Sequence, residues 1–172
     1  MDLIPAWEEG VLRPVEKLAV HQRGLRHKAV SVFALAGDAV LIQQRAAAKY
    51  HTPNLWANTC CTHPHWGEGD AASAYRRLAE ELGITGLALE PAGEVCYRAD
   101  VGGGLIEDEV VQIFTAKASE DLALMLNPAE VQAVRWVPLP ALLAEIEAKP
   151  AQFTPWLRIY LDQHRGQIFG TA

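Results

Sequence analysis

The chain has 172 residues, enough for one domain with a substantial buried core. Its 15 Lys and Arg against 21 Asp and Glu give a formal net charge of -6. That balance argues against nucleic acid or an anionic membrane surface as a partner, so an anionic ligand has to be met by a local basic cluster.

No apolar run is long enough to cross a bilayer, and the opening MDLIPAWEEG lacks the basic and apolar regions of a signal peptide. Three cysteines, two of them adjacent, do not make a disulfide framework. The expectation is a cytoplasmic chain in a reducing compartment.

Lys28 to Leu35 and Ala39 to Gln44 read as short apolar strands joined at Gly37-Asp38. Ala46 to Asn54 reads as a loop closed by Pro53-Asn54. Next comes NTCCTHP; neighbouring residues of a strand point to opposite faces, so Cys61 is free to face a site while Cys60 packs away from it. At about 100° per residue, Ala71, Ala74, Tyr75, Leu78 and Leu82 form an apolar helical stripe, with Asp70 placed to cap its start and Gly83 to end it. Arg77 and Glu81 flank that stripe, whereas Arg76 and Glu80 point toward water. As an ordinary solvated face, the helix would carry Arg76–Glu80 and Arg77–Glu81 pairs worth about 0.2–0.5 kcal/mol each.

Leu87 to Arg98, Glu109 to Lys117 and Val131 to Val137 read as further strands, and Pro140 to Ala148 and Pro155 to Gln163 as helices. Strands on both sides of an amphipathic helix imply α/β layering.

Chemistry concentrates between Asn58 and Ile84, where Cys61, His63, Glu68 and Glu81 supply a proton carrier and metal ligands. A second concentration lies in the strand from Leu105 to Thr115, whose alternation puts Glu107 and Glu109 on one face with Val111 and Ile113. Two carboxylates continuing a buried row require a cation, because unpaired they would repel and lose solvation. By itself the segment is equally consistent with a strand end emerging into solvent.

The stretch from Thr62 to Ile84 resembles the Nudix signature, G-x5-E-x7-R-E-U-x-E-E-x-G-U with U apolar. Thr62, Glu68, Arg76, Arg77, Leu78, Glu80, Glu81, Gly83 and Ile84 stand at its positions. Thr62 replaces the glycine. Arg77 replaces a glutamate that in Nudix pyrophosphohydrolases belongs to the magnesium-binding carboxylate cluster, and a cation there attracts diphosphate instead. With KLAVHQRGLRHKAVSVF, QQRAAAKYHTPNLWANTCCTHP, CYRAD, LIEDEV and FTPW around it, the chain from about Lys17 to Trp156 resembles the type 1 isopentenyl-diphosphate isomerases.

The resemblance implies a single domain over residues 1–172, with a core at about 17–164, built as a mixed β-sheet sandwiched between α-helices. It implies interconversion of isopentenyl and dimethylallyl diphosphate through a tertiary carbocation. Cys61 and Glu109 would serve as acid and base, Tyr97 would assist Glu109, and Trp156 would lie over the cation. His21, His27, His63, Glu107 and Glu109 would hold Mg²⁺ or Mn²⁺, with zinc also compatible, and Glu81 would help hold a second Mg²⁺ arriving with the substrate. No organic cofactor is implied. Lys17, Arg45, Lys49 and Arg77 would contact the diphosphate.

The expected partner is thus a small isoprenoid diphosphate, taken by a monomer or homodimer, with neither nucleic acid nor membrane involved. A Nudix hydrolase of nucleoside diphosphates is the alternative, against which Arg77 and Cys61 argue. A non-catalytic metal-stabilised module would leave the four cations unexplained. His51, His65 and His164 read as ordinary hydrogen-bonding histidines, Arg26 and Arg76 as solvated, and the role of Glu68 stays open.

Overall fold

The computed structural model describes residues 1–170. It opens with a hairpin absent from the sequence reading, β1 (Leu3–Glu8) and β2 (Val11–Glu16), whose turn places Glu9 and Gly10 at φ of 50° and 79°. Two positive φ angles give the turn a twist that suits antiparallel strands. Helix α1 (Lys17–Arg23) follows at once, because the Glu16 carboxylate accepts from the amides of Leu18 and Ala19 and caps it.

β3 (Arg26–Ala36) and β4 (Ala39–Arg45) form the expected hairpin, with β5 (Trp56–Ala57) and β6 (Cys60–Thr62) beyond the intervening loop. Helix α2 (Asp70–Leu82) separates them from β7 (Glu90–Gly102), β8 (Leu105–Lys117) and β9 (Val131–Pro138). Helices α3 (Leu139–Ala148), α4 (Pro155–Gln163) and α5 (Arg165–Phe169) complete the described chain.

The strands make one mixed sheet in which β3 is central. It pairs in parallel with β8 along one edge and antiparallel with β1, β6 and β4 on the other; β7 lies outside β8, and β9 lies along β4. Strand alternation gives the sheet two buried faces. Val30, Val32 and Ala34 pack with Ala74, Leu78 and Leu82 of α2, whereas Ala29 and Phe33 pack with Leu142 of α3 and Trp156, Leu157 and Tyr160 of α4. This is the expected sheet between helices.

Helix α2 differs from its sequence reading in two respects. Its N-cap is Gly69 and Asp70 is the first helical residue, where a carboxylate faces the positive end of the helix dipole instead of capping it. Its buried residues are Ser73, Ala74, Leu78, Glu81 and Leu82, while Ala71 and Tyr75 are exposed. The Tyr75 hydroxyl accepts from the Leu89 amide, so the ring lies across the surface. The buried stripe is therefore rotated toward Glu81. Gly83 ends the helix as expected: its φ is 64°, and a Cβ there would come within 2.7 Å of Met125.

Candidate active site

α1, β3 and β6 bring imidazoles to Glu107 and Glu109 of β8. α1 carries Lys17 and His21 one turn apart, β3 begins at Arg26 with His27 next, and His63 follows β6 directly. Both carboxylates point to the face of the sheet that packs on α4, and they are only 2 % and 6 % exposed. His21 Nε2 lies 3.1 Å from Glu107 Oε1, and His27 Nε2 lies 3.0 Å from Oε2. Glu109 Oε2 lies 2.8 Å from His63 Nε2 and 3.3 Å from His27 Nε2. Burial works against the charge on Glu107, yet the imidazoles of His21, His27, His51 and His63 around it hold its carboxyl well below the usual range.

The donor chemistry fits a metal. One ligand atom from each of His21, His27, His63 and Glu107 lies within 4.8 Å of the others. His21 Nδ1 is 2.7 Å from the Lys17 carbonyl and His27 Nδ1 is 2.8 Å from that of Leu25. A carbonyl only accepts, so Nδ1 carries the proton and Nε2 presents a lone pair in the neutral ring.

Cys61 stands opposite Ser31 in the β3–β6 ladder and shares the α4 side of the sheet. Its thiol donates to Asn58 Oδ1 at 2.9 Å, with Ser31 Oγ at 3.5 Å, and burial pushes it up to about 12. Cys60 points the other way, into the α2 layer, 3.7 Å from Glu81 Oε1, as strand alternation requires. The Tyr97 phenol donates to Glu109 Oε1. Trp156 is buried against the site, with the Arg45 guanidinium 5.3 Å from its ring centre.

A cleft of about 490 Å³ joins these groups to the cations. Cys61, His63, Glu81, Tyr97, Glu107, Glu109 and Trp156 line it together with Lys17, Arg45, Lys49 and Arg77. His21 and His27 lie fully buried behind it. Burial, and then the neighbouring charge of Lys49, lower the Lys17 ammonium below its ordinary value. Arg45 has a buried Nε without a partner among the described residues, a donor left for an anion. Glu130 ties two of the cations together, accepting from Lys49 and lying 3.2 Å from Arg77. Glu81 lies 3.2 Å from Arg77 and accepts from Gln43.

The structure thus brings the sequence-predicted site residues into one place, and it adds Tyr50 and also His51, which reads in the sequence only as an ordinary hydrogen-bonding histidine. His51 Nε2 lies 3.0 Å from Glu107 Oε1, and its burial lowers it to about 4, which keeps the ring neutral. Tyr50 packs edge-on against His21 and His51. Among the other histidines, His65 is exposed beside Asp2 and His164 caps the end of α4, as expected of both. Arg26 is an exposed partner of Asp108, whereas Arg76 is not simply solvated: it grips Glu68 through two nitrogens, at 2.7 and 2.9 Å. Glu68 therefore braces the loop ahead of α2. Trp56 lies outside the cleft lining and stacks with Arg135.

Residues 25–157 match the family model described as NUDIX domain. The chain is 63 % identical over 169 residues to an isopentenyl-diphosphate Delta-isomerase of Cereibacter sphaeroides, covering 98 % of this chain and 96 % of that one. It is 60 % identical over 171 residues to a protein of the same name from Dinoroseobacter shibae, covering 99 % and 97 %. Among solved structures, the fold is shared with a Deinococcus radiodurans protein at 16 % identity and a TM-score of 0.74, covering 96 % of this chain and all of that one. A MutT Nudix hydrolase from Burkholderia pseudomallei aligns at 21 % identity and a TM-score of 0.61, covering 81 % and 98 %.

Proposed function

The chain belongs to the isopentenyl-diphosphate Delta-isomerase family within the Nudix proteins, and on that premise we propose how its residues move a double bond in a small isoprenoid diphosphate. The observation that carries the proposal is that a protonated thiol, a phenol-bound carboxylate and an indole line the same cleft as four cations.

Lys17, Arg45, Lys49 and Arg77 bind the diphosphate through charge-assisted hydrogen bonds, which fixes the alkene end against Cys61 and Glu109. Cys61 holds a proton at Sγ through neutral pH and serves one face of the five-carbon unit. The Glu109 carboxylate, steadied by Tyr97, serves the other face, so that one group delivers a proton to the alkene while the other removes one from the adjacent carbon. The two roles exchange when the reaction runs in reverse.

Protonation creates a tertiary carbocation that water would capture. The enclosing side chains exclude water, and the Trp156 face offers attraction without a nucleophile, worth about 2 kcal/mol in a dry site. His21, His27, His63 and Glu107 would hold a divalent ion, Mg²⁺ or Mn²⁺, with Glu109 beside His63 and His27 as a further ligand, and Glu81 would share in a second Mg²⁺ bound with the diphosphate. Such an ion supplies positive charge beside Glu109 and tunes its basicity.

The isomerase acts as a single domain, and no helix among the described residues is long and apolar enough to cross a membrane. We place its work in the cytoplasm, as a monomer or homodimer. Incubation with isopentenyl diphosphate tests the reading. Formation of dimethylallyl diphosphate supports it, and release of inorganic phosphate without isomer would replace it with a hydrolase.

A further inference from the structure

His51 occupies a position that the proposed mechanism does not use. It comes from the loop between β4 and β5 and is 5 % exposed. That loop is held rigidly. The Asn54 amide donates to the Arg45 carbonyl, the Arg45 amide donates to the Leu55 carbonyl, and Arg45 Nη2 donates to the His51 carbonyl at 3.2 Å. Thr52 and Asn54 adopt φ of 46° and 65°, a left-handed conformation that Asn takes readily but a β-branched residue avoids unless its surroundings impose it. This loop brings the buried His51 imidazole to one carboxylate oxygen, with Nε2 3.0 Å from Glu107 Oε1.

Four imidazoles surround Glu107, and their second nitrogens divide them. His21 and His27 face backbone carbonyls through Nδ1, so in the neutral ring Nε2 is left with a lone pair for a metal. His51 Nδ1 instead faces the Thr52 hydroxyl at 2.8 Å, a group that is able to donate. Its Nε2 is therefore free to carry the proton, 3.0 Å from Glu107 Oε1. Its ring also meets Trp156 edge-on, with centroids 5.8 Å apart and planes at 84°.

Accepting the metal reading proposed above, we infer that His51 is a positioning residue: with Thr52 it forms a hydrogen-bond relay that fixes the rotamer of the ligand Glu107 and props the edge of Trp156, without itself ligating the ion. A carboxylate held by such an outer partner binds metal more tightly than a free one, typically by about 10–100-fold.

The test compares wild type with His51→Leu, which removes the donor, and His51→Gln, whose amide N–H reaches about as far as Nε2. Mn²⁺ titration, followed by the EPR signal of the free ion, gives affinity independently of catalysis. Pulsed EPR of the bound ion reports the coordinating nitrogens. His51→Leu should bind Mn²⁺ about tenfold or more weakly, with kcat lowered and KM changed little, and His51→Gln should recover most of both losses. The nitrogen couplings should match wild type in each variant. Affinity in His51→Leu within twofold of wild type, or His51→Gln as defective as His51→Leu, would overturn the relay. Loss of a nitrogen coupling would make His51 a ligand and overturn the positioning role. Wild-type protein that takes up no Mn²⁺ would overturn the metal reading and this inference with it, an outcome distinguishable from the others.

Discussion

Tyr97 and Glu109 occupy directly paired positions on β7 and β8, and the phenol donates to Glu109 Oε1 while His63 reaches Oε2 at 2.8 Å. Both oxygens of the proposed base are thereby held. In Tyr97→Phe one oxygen loses its donor with little change of shape, which should lower kcat about tenfold to a hundredfold, the value of a hydrogen bond to a charged group. KM should move less than threefold. Steady-state kinetics decide this, and a change confined to KM would remove Tyr97 from the chemistry.

Cys61→Ala should nearly abolish isomerisation while leaving the far-UV circular dichroism unchanged. Cys60→Ala should keep turnover within a few-fold, because Cys60 packs in the α2 layer, and should cost about 1 kcal/mol of stability as a small cavity. Iodoacetamide at pH 8 should label the exposed Cys96 far faster than Cys61, whose thiol stays protonated until about 12. Peptide mapping reads the order of labelling. Equal turnover of Cys61→Ala and wild type would exclude the thiol from proton transfer.

Chelation should inactivate the enzyme and divalent ion should restore it. Glu107→Gln and His63→Ala should each retain less metal after dialysis as well as turn over more slowly, since each removes a donor from the cluster. Metal analysis of the dialysed proteins is the measurement, and full occupancy in both would show that neither is a ligand.

Arg77 lines the cleft between three carboxylates, with Glu80 at 2.8 Å and Glu81 and Glu130 at 3.2 Å each. Arg77→Ala should raise the apparent KM about tenfold to a hundredfold, equivalent to about 1.5–3 kcal/mol for one charge-assisted contact. Arg77→Glu should be worse, because it adds repulsion toward both the diphosphate and the neighbouring carboxylates. Should Arg77→Glu isomerise as well as Arg77→Ala, the charge at this position does not act on the substrate.

The two-pronged grip of Arg76 holds the Glu68 carboxyl down to about 2, below its ordinary 4.5. A carboxyl lowered on folding contributes stability that is fully present above about 4.5 and is lost as pH falls through 4.5 toward 2. Solvent screens the pair, so Glu68→Gln should cost about 1–2 kcal/mol at pH 7. That difference should shrink toward zero near pH 2. Urea unfolding at pH 7, 4 and 2.5 checks it; an equal deficit at pH 7 and pH 2.5 would mean that charge is not what Glu68 contributes.

Much of this site could be read from the chain because its chemistry lies in strands, where period two assigns faces without further information. That rule alone separates Cys61 from Cys60 and puts Glu107 with Glu109. His51 escaped it because its direction is set by a loop with a left-handed Thr52, a conformation that a β-branched residue does not announce. The β1–β2 hairpin escaped because its strands are short, Pro14 interrupts the second, and Glu9 stands where a turn signal would favour Asn or Gly. In α2 the apolar count favoured Tyr75, whose hydroxyl instead satisfies the Leu89 amide at the surface, while Glu81 enters the interior because Gln43 and Arg77 meet its oxygens. Tertiary partners decided both, and a helical wheel does not contain them.

The parallel pairing of β3 with β8 sets His27 opposite Glu109, joining segments that lie 80 residues apart at the His27–Glu107 contact. A slip of one residue between these strands would turn both glutamates toward the opposite layer and put Asp108 and Val110 in their places. A chain threaded that way would lose its nest of donors. An ion that recognised the nest would therefore act as a proofreader of strand alignment. Its binding energy accrues to one arrangement of the sheet and to none of the near misses, so the feature that suits the protein for chemistry also rewards assembling it correctly.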